Sequence, residues 1–287
     1  MMIRLRLLLH GFVSILVFGL VGPGSALAHD VWLSVSADEI GVGGLVQVEL
    51  WQGHARSPEP LARNARKLER LQAIGPNDHV VDLPGLHGRR PAGVFRATVP
   101  GTWRVLYEGR PSLHRLAAES FERYLEEEGL EHVLVERRTS SSQHEEGREL
   151  VSRSLKALVP VSPVAKLVDR PVGLPVELVL EEQGPPIELR LLVDGEPAEG
   201  VLVDLQTIDP AGPRFAARTA AGGVASFRIE SPSEGRSSEG RLWMAAAVVA
   251  RPSSSPEAAW RTHFATLVFP AQASEQAYPE PDGIEVR

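Results

Sequence analysis

The chain has 287 residues, and its 37 acidic and 30 basic side chains give a net charge of −7 at pH 7. This acidic balance argues against nucleic acid as a partner, because phosphate backbones bind to basic surfaces. There is no cysteine and therefore no disulfide, and the length allows one or two domains with a packed core. Any metal site is restricted to histidine, carboxylate, methionine, backbone groups and a terminal amine.

Residues 1–28 are typical of an export signal. Arg4 and Arg6 precede the apolar run LLLHGFVSILVFGLVG, and the small residues of SALA end it. We expect cleavage after Ala28, which makes His29 the first residue of a periplasmic or secreted chain. The alternative is an uncleaved membrane anchor, since the apolar run approaches the length that spans a bilayer.

Alternating apolar residues predict strands in the N-terminal half. The segments HDVWLSV and LVQVEL alternate on either side of the turn-rich SADEIGVGG, which predicts an antiparallel hairpin. By the same logic, GVFRATV and TWRVLYEG, separated by Pro100 and Gly101, predict a second strand pair.

Residues Phe121, Tyr124 and Leu125 recur at helical spacing, and Gly129 is typical of a helix end. The later segment RELVSRSLKALVPV fits a strand in which Arg153 is out of pattern, but it also fits a helix. We favour the strand, because two prolines end the run.

Short strands separated by turns predict a small β-sandwich from about Ile187 onwards. The Pro- and Gly-rich segment DRPVGLPVELVLEEQGPP before them is a predicted boundary. We therefore expect an all-β protein with a β-sandwich-like N-terminal domain at 29–170 carrying one short helix, a C-terminal sandwich at 171–270 and a mobile tail at 271–287.

The predicted hairpin brings two histidines towards one sheet edge. If residues 37–44 connect its strands, His29 lies opposite about Gln52 and near His54. An N-terminal histidine offers its amine and Nδ1 as a chelate, and a second imidazole supplies a third nitrogen, a set that suits copper, nickel or cobalt. The alternative is that His29 marks only the cleavage boundary and that His54 ends a strand.

The other histidines and acidic runs give weaker signals. His263 is a third candidate metal ligand if the last strand runs near the first hairpin, although a packing role is the alternative. We expect exposed positions for the run Glu126–Glu128 and for five histidines: His79, His87, His114, His132 and His144. No motif of a hydrolase, zinc protease or phosphate-binding loop is present, so we do not expect an enzyme.

Several stretches together resemble a known family. They include AHDVWL, GHARSPEPLARNARKLERLQAIGP, AESFERYLEEEGLE, GRELVSRSLKALVPV, VGLPVELVLE and AAWRTHFATLVF, and they look like the secreted bacterial proteins of the family termed domain of unknown function 4198. The resemblance implies an all-β periplasmic protein with an immunoglobulin-like or transthyretin-like C-terminal module. It also implies that His29 and His54 are pattern positions, and that nickel or cobalt uptake is the associated process.

Three functions remain open on the sequence. The first is a periplasmic protein that binds nickel or cobalt and assists an inner-membrane metal transporter. The second is an oxidase with a copper histidine brace, as an analogy of ligands. The third is a structural or adhesive β-module without metal.

Overall fold

The computed structural model describes residues 30–36, 40–54, 57–163, 166–209, 212–229 and 242–271. The expected export signal at 1–28, His29 and the expected tail from residue 272 lie outside the described residues. The strands and helices, in chain order, are β1 (Asp30–Ser36), β2 (Ile40–Gly41), β3 (Leu45–His54), β4 (Ser57–Leu61), β5 (Leu68–Ile74), β6 (Val80–Asp82), β7 (Gly93–Arg96), β8 (Gly101–Leu116), α1 (Ala118–Glu127), α2 (Glu131–Thr139), β9 (Gly147–Ser162), β10 (Val176–Glu182), β11 (Ile187–Val193), β12 (Glu196–Pro197), β13 (Leu202–Thr207), β14 (Arg214–Arg218), β15 (Val224–Phe227), β16 (Leu242–Pro252) and β17 (Trp260–Pro270).

One large sheet forms the centre of the structure. Its strand order is β14-β13-β16-β17-β9-β8-β5-β6, and β2 pairs with the end of β9. Two smaller sheets accompany it: β1-β3-β4 with β7 on β3, and β10-β11-β12 with β15 on β11. This arrangement confirms the all-β fold class, although the structure has two short helices where the sequence predicted one.

The two faces of the large sheet are covered by different elements. On one face, the β1 sheet packs over a core that contains Trp32, Trp103 and Leu155, and α1 and α2 pack beside it around Phe121. On the other face, the β10-β11 sheet encloses a second core around Leu189, Leu205 and Leu267. The alternation of side chains along β9 and β17 supplies residues to both faces.

The helix α1 confirms the helical spacing in the sequence, and Gly129 follows it with a positive φ of 67°. The ambiguous segment at 147–162 is the strand β9. Strand β1 pairs with β3 as the predicted hairpin. In the described ranges, no helix combines the length and apolar character needed to cross a membrane.

The predicted pairing of GVFRATV with TWRVLYEG is wrong. Strand β7 pairs with β3, whereas β8 lies between β5 and β9. The sixteen-residue strand β8 has a neighbour along both edges, so the short β7 completes the β1 sheet instead. Sequence proximity therefore did not decide this pairing.

The Pro- and Gly-rich segment contains the strand β10, with five consecutive buried residues from Val176 to Leu180. The buried Lys156 forms ion pairs with one residue before β10 and one within it. Its Nζ lies 2.9 Å from an oxygen of Asp169 and 2.8 Å from one of Glu177. Strand β17 runs parallel to β9, so both expected domains contribute strands to one sheet.

Candidate functional site

The start of β1 lies beside the end of β3. The sequence analysis predicted the metal ligands at this position. Asp30 pairs with Gly53 and Val31 with Gln52, a register two residues away from the predicted one. Because side chains alternate with a period of two, this shift leaves every side chain on its predicted face. His29 lies outside the described residues, so its approach to His54 stays a prediction.

Strands β3 and β4 approach each other closely at Gly53. His54 is the last residue of β3 and pairs with Ser57 of β4. Gly53 has a φ of 112°, and a Cβ there would lie 2.8 Å from the carbonyl oxygen of Ser57. Only glycine fits this position without displacement of the backbone, so β3 and β4 stay in contact up to His54.

A group of charged residues lies near the start of β1. We call it the polar seam and define it by its five members, which are Asp30, Glu128, Arg153, Asp204 and Arg214. Burial, followed by the negative charges of Asp30 and Asp204, raises the pKa of Glu128 to about 8. Arg214 opposes this shift and donates from Nε to Asp204 at 3.2 Å. The seam therefore holds three carboxyl groups, one of which belongs to Asp30, the first described residue.

Arg153 is the member of the polar seam that lies on β9, in the middle of the large sheet. Its guanidinium carbon lies 5.2 Å from the ring centre of Phe264, a cation–π contact. Its Nε has no hydrogen-bond partner among the described residues. Burial lowers the pKa of Arg153, whereas the nearby Tyr107 and Tyr124 raise it.

A buried carboxyl group extends this region under helix α1. The side chain of Glu149 is 2% exposed and accepts a hydrogen bond of 2.5 Å from Thr262 Oγ1. The Tyr124 hydroxyl donates to the same carboxyl group at 3.5 Å. Burial raises the pKa of Glu149, and these two hydrogen bonds oppose the shift.

His263 lies on the opposite face of the large sheet. Thr266, three residues along β17, directs Oγ1 to the carbonyl oxygen of Val31 at 3.0 Å, so His263 points away from β1. The ring nitrogens lie 2.9 Å from Ser152 Oγ and 2.7 Å from Ser154 Oγ. The structure therefore does not bring His263 to the start of β1, although strand β17 runs beside β1.

The surroundings of His263 keep its imidazole neutral. Burial lowers its pKa to about 4, Asp194 opposes the shift, and the arginines Arg153, Arg251 and Arg261 add to it. In a neutral ring one nitrogen donates and the other accepts, so one serine hydroxyl accepts and the other donates. Both nitrogens are thereby engaged within the protein.

The remaining predictions for single residues have mixed outcomes. Glu126 and Glu127 are exposed as predicted, but Glu128 is half-buried. His132 is exposed as expected, although its Nε2 donates to a carbonyl oxygen of β16 at 3.0 Å, whereas His114 is half-buried. Within the described ranges, no group of three or more histidine and acidic side chains is arranged to hold a metal ion.

The sequence contained one signal for the polar seam. Arg153 interrupts the apolar alternation of β9, and in the structure it is a charged residue on the face that packs against β1 and α1. Glu128 gave no such signal, because the charges that act on it come from residues distant in the chain, Asp30 and Asp204.

Comparison with known proteins identifies the family of this chain but no function. No curated protein matches the sequence. A solved structure described as "Crystal structure of tetra-tandem repeat in extending region of large adhesion protein" is 12% identical, with a TM-score of 0.21, and carries no argument at that score. The match covers 85% of this chain, and the chain spans 50% of that one. A family model matches residues 26–235, and the chain therefore belongs to the family described as Domain of unknown function (DUF4198).

Proposed function

We propose that this chain is an exported protein that binds a divalent nickel or cobalt ion at the start of β1 and assists its uptake by an inner-membrane transporter. The ligands are the amine and imidazole of His29, after cleavage at Ala28, together with the imidazole of His54. Two neutral imidazoles and an amine suit these ions. The metal is the cargo of the protein, and no catalytic step is part of the proposal.

One observation carries the proposal: Asp30 pairs with Gly53. His29 precedes the first of these residues in the chain and His54 follows the second. Each proposed ligand is therefore the immediate neighbour of a residue in the last described pair of the hairpin. Continued antiparallel pairing would set the two side by side.

The charges near this position also support a cation. Asp30 and Asp204 are close enough to Glu128 to raise its pKa, and Arg214 opposes their effect. A divalent ion or an ammonium group at the start of β1 would be attracted by the carboxylates of Asp30 and Asp204. An N-terminal amine has an ordinary pKa of roughly 7.7, so a metal can displace its proton near neutral pH.

His263 is left out of the proposed ligand set. It points to the other face of the sheet, and two serine hydroxyls occupy its ring nitrogens. A metal at His263 would have to displace one of these hydrogen bonds in a buried position. The proposed site consequently has three nitrogen ligands, with carboxylate or water completing the coordination.

The test begins with the mass of the exported protein, which shows whether the mature chain starts at His29. Calorimetric titration with Ni²⁺ and Co²⁺ then compares the mature wild type with His29→Ala and His54→Ala. We expect micromolar or tighter binding for the wild type and a loss of at least about tenfold in each variant. His79→Ala is the matched control, because His79 is exposed in a turn remote in sequence from the site.

Each alternative has its own result in the same experiment. A mature chain that starts elsewhere, or equal affinity in all variants, would overturn the proposed site. Copper binding with peroxide-dependent turnover would replace it with the histidine-brace oxidase. Absence of metal binding by a correctly processed chain would leave a structural β-module.

A further inference from the structure

A second candidate site lies on the face of the large sheet opposite to β1. A cleft of about 230 Å³ opens between this face and the β10-β11 sheet, with His263 and Ser152 among its lining residues. We call it the His263 cleft. It is smaller than the pockets that hold drug-sized ligands, which indicates a small occupant.

The wall of the His263 cleft is apolar. Val176 and Val193 from the smaller sheet and Val249 from the large sheet line it, together with two prolines, Pro111 and Pro175. Such a wall favours the hydrocarbon part of a ligand, because burial of apolar surface is favourable.

The charges at the cleft leave one cation without a partner. Glu108 is paired with Arg70 at 2.6 Å, and Asp194 is paired with Arg251 at 2.8 Å. Arg261 also lines the cleft, and it has no hydrogen-bond or ion-pair partner among the described residues. The cleft therefore has an excess of positive charge.

The position of Arg261 makes an anion more favourable still. Arg251 and Arg261 lie directly opposite each other on β16 and β17, and like charges in such a cross-strand pair repel each other. Asp194, which neutralises Arg251, is held in place by a hydrogen bond of 2.7 Å from its backbone nitrogen to the carbonyl oxygen of Pro175. A second carboxylate beside Arg261 would complete this arrangement.

We propose that the His263 cleft binds a small organic carboxylate, with its carboxylate at Arg261 and its hydrocarbon part against Val176, Val193 and Val249. A guanidinium group matches a carboxylate with two parallel hydrogen bonds. This site is separate from the proposed metal site, because the two lie on opposite faces of the large sheet. Either can fail without the other.

Butyrate is the probe, and the methyl resonances of Val176, Val193 and Val249 in the mature full-length protein report its position. We expect saturable shifts with a dissociation constant of about 1 mM, and weaker binding of acetate, which lacks most of the hydrocarbon part. Arg261→Gln should weaken butyrate binding at least about fivefold. The matched control Arg66→Gln, an exposed arginine outside the cleft, should leave it unchanged.

Val249→Thr tests the apolar wall at nearly constant volume. It should reduce the preference for butyrate over acetate while acetate binding stays the same, because only the hydrocarbon contact changes. Thermal unfolding of each variant shows that the fold is intact. No saturable shift at concentrations up to about 50 mM, equal affinity in Arg261→Gln, or equal binding of inorganic phosphate and butyrate would each overturn the proposal.

Discussion

The two faces of the large sheet use the same strands for opposite purposes. On the face towards β1 and the helices, β9 and β17 contribute Glu149, Arg153 and Thr262, which form a network with groups from α1. On the other face the same strands contribute Ser152 and His263, a neutral group beside a cleft. The face towards β1 thus contains both acidic and basic buried groups, whereas the cleft face contains the neutral His263 below Arg261, which has no ion-pair partner among the described residues.

This difference shows what burial does to ionisable groups in the two regions. Near β1, burial raises the pKa values of Glu128 and Glu149 and lowers that of Arg153. On the cleft face, burial lowers the pKa of His263 to about 4. Further along the cleft face, the buried Lys156 forms ion pairs with two carboxylates, those of Asp169 and Glu177.

The largest effect is expected for Lys156→Met on the cleft face. Lys156 is 1% exposed, and its removal leaves the carboxylates of Asp169 and Glu177 buried without a counter-ion. We expect a loss of about 3–5 kcal/mol in the free energy of unfolding, measured with urea at neutral pH. Lys166→Met, which breaks an exposed pair with Glu182, should leave the free energy of unfolding nearly unchanged.

Similar losses in both lysine variants would show that the buried cluster is not what joins β10 to the large sheet. A loss confined to Lys156→Met would separate this cluster from surface ion pairs. The comparison therefore decides whether the buried charges of the cleft face are more tightly coupled to folding than the exposed ones.

A smaller effect is expected for Thr262→Val on the face towards β1. The hydroxyl of Thr262 donates to the buried carboxyl group of Glu149 at 2.5 Å, and valine keeps the shape without the donor. The unfolding free energy should fall by about 2 kcal/mol, the usual range for a hydrogen bond to a charged group. Thr266→Val is the control and should lose about 1 kcal/mol, because its hydroxyl donates to a neutral carbonyl oxygen.

Equal losses in the two threonine variants would contradict a charged Glu149. The pH dependence gives a second readout, since the loss of this hydrogen bond matters most where Glu149 is ionised. We therefore expect the difference between Thr262→Val and wild type to grow as the pH rises above the pKa of Glu149.

The smallest effect is expected for Glu128→Gln in the polar seam, and it depends on pH. The pKa of Glu128 in the folded protein is about 8, above its ordinary value of 4.5, so folding favours the protonated form. The wild type consequently loses stability as the pH rises from about 4.5 to about 8, and the glutamine variant lacks this loss. We expect Glu128→Gln to be more stable than wild type at pH 8 by about 1 kcal/mol, a modest value because the side chain is half-buried.

Glu126→Gln, at the end of α1 and two residues before Glu128, is the control for the Glu128→Gln measurement. Glu126 is exposed, so its substitution should leave the difference in unfolding free energy between pH 5 and pH 8 unchanged. If Glu128→Gln showed the same pH dependence as wild type, Glu128 would not be the group that senses the charges of the polar seam.

Much of the fold was predictable from the alternation of apolar residues. The β1–β3 hairpin, the helix around Phe121 and the C-terminal strands follow from local patterns, which residues close in sequence determine. The pairing of β7 with β3 and the strand β10 did not follow, because they depend on which edges remain free in the assembled sheets. Local propensity does not contain that information.

The features of the candidate sites also divide into those that the sequence predicted and those that only the fold determines. The approach of β1 to His54 follows from a hairpin, so the sequence indicated it to within two residues of register. The direction of His263 did not follow, because almost every residue of β17 is buried and the strand shows no polar face. The charges around Glu128 come from three distant segments, and only the folded chain brings them together.

The position of β17 has a consequence for the order in which the strands of the large sheet pair during folding. This strand lies between β16 and β9 in the middle of the large sheet, parallel to β9, yet it is encoded about a hundred residues later. While the chain emerges from its N-terminus, β9 therefore has an unpaired edge until residues 260–270 arrive. Completion of the central sheet is therefore a late event in folding, because it needs contacts between segments that are distant in the chain.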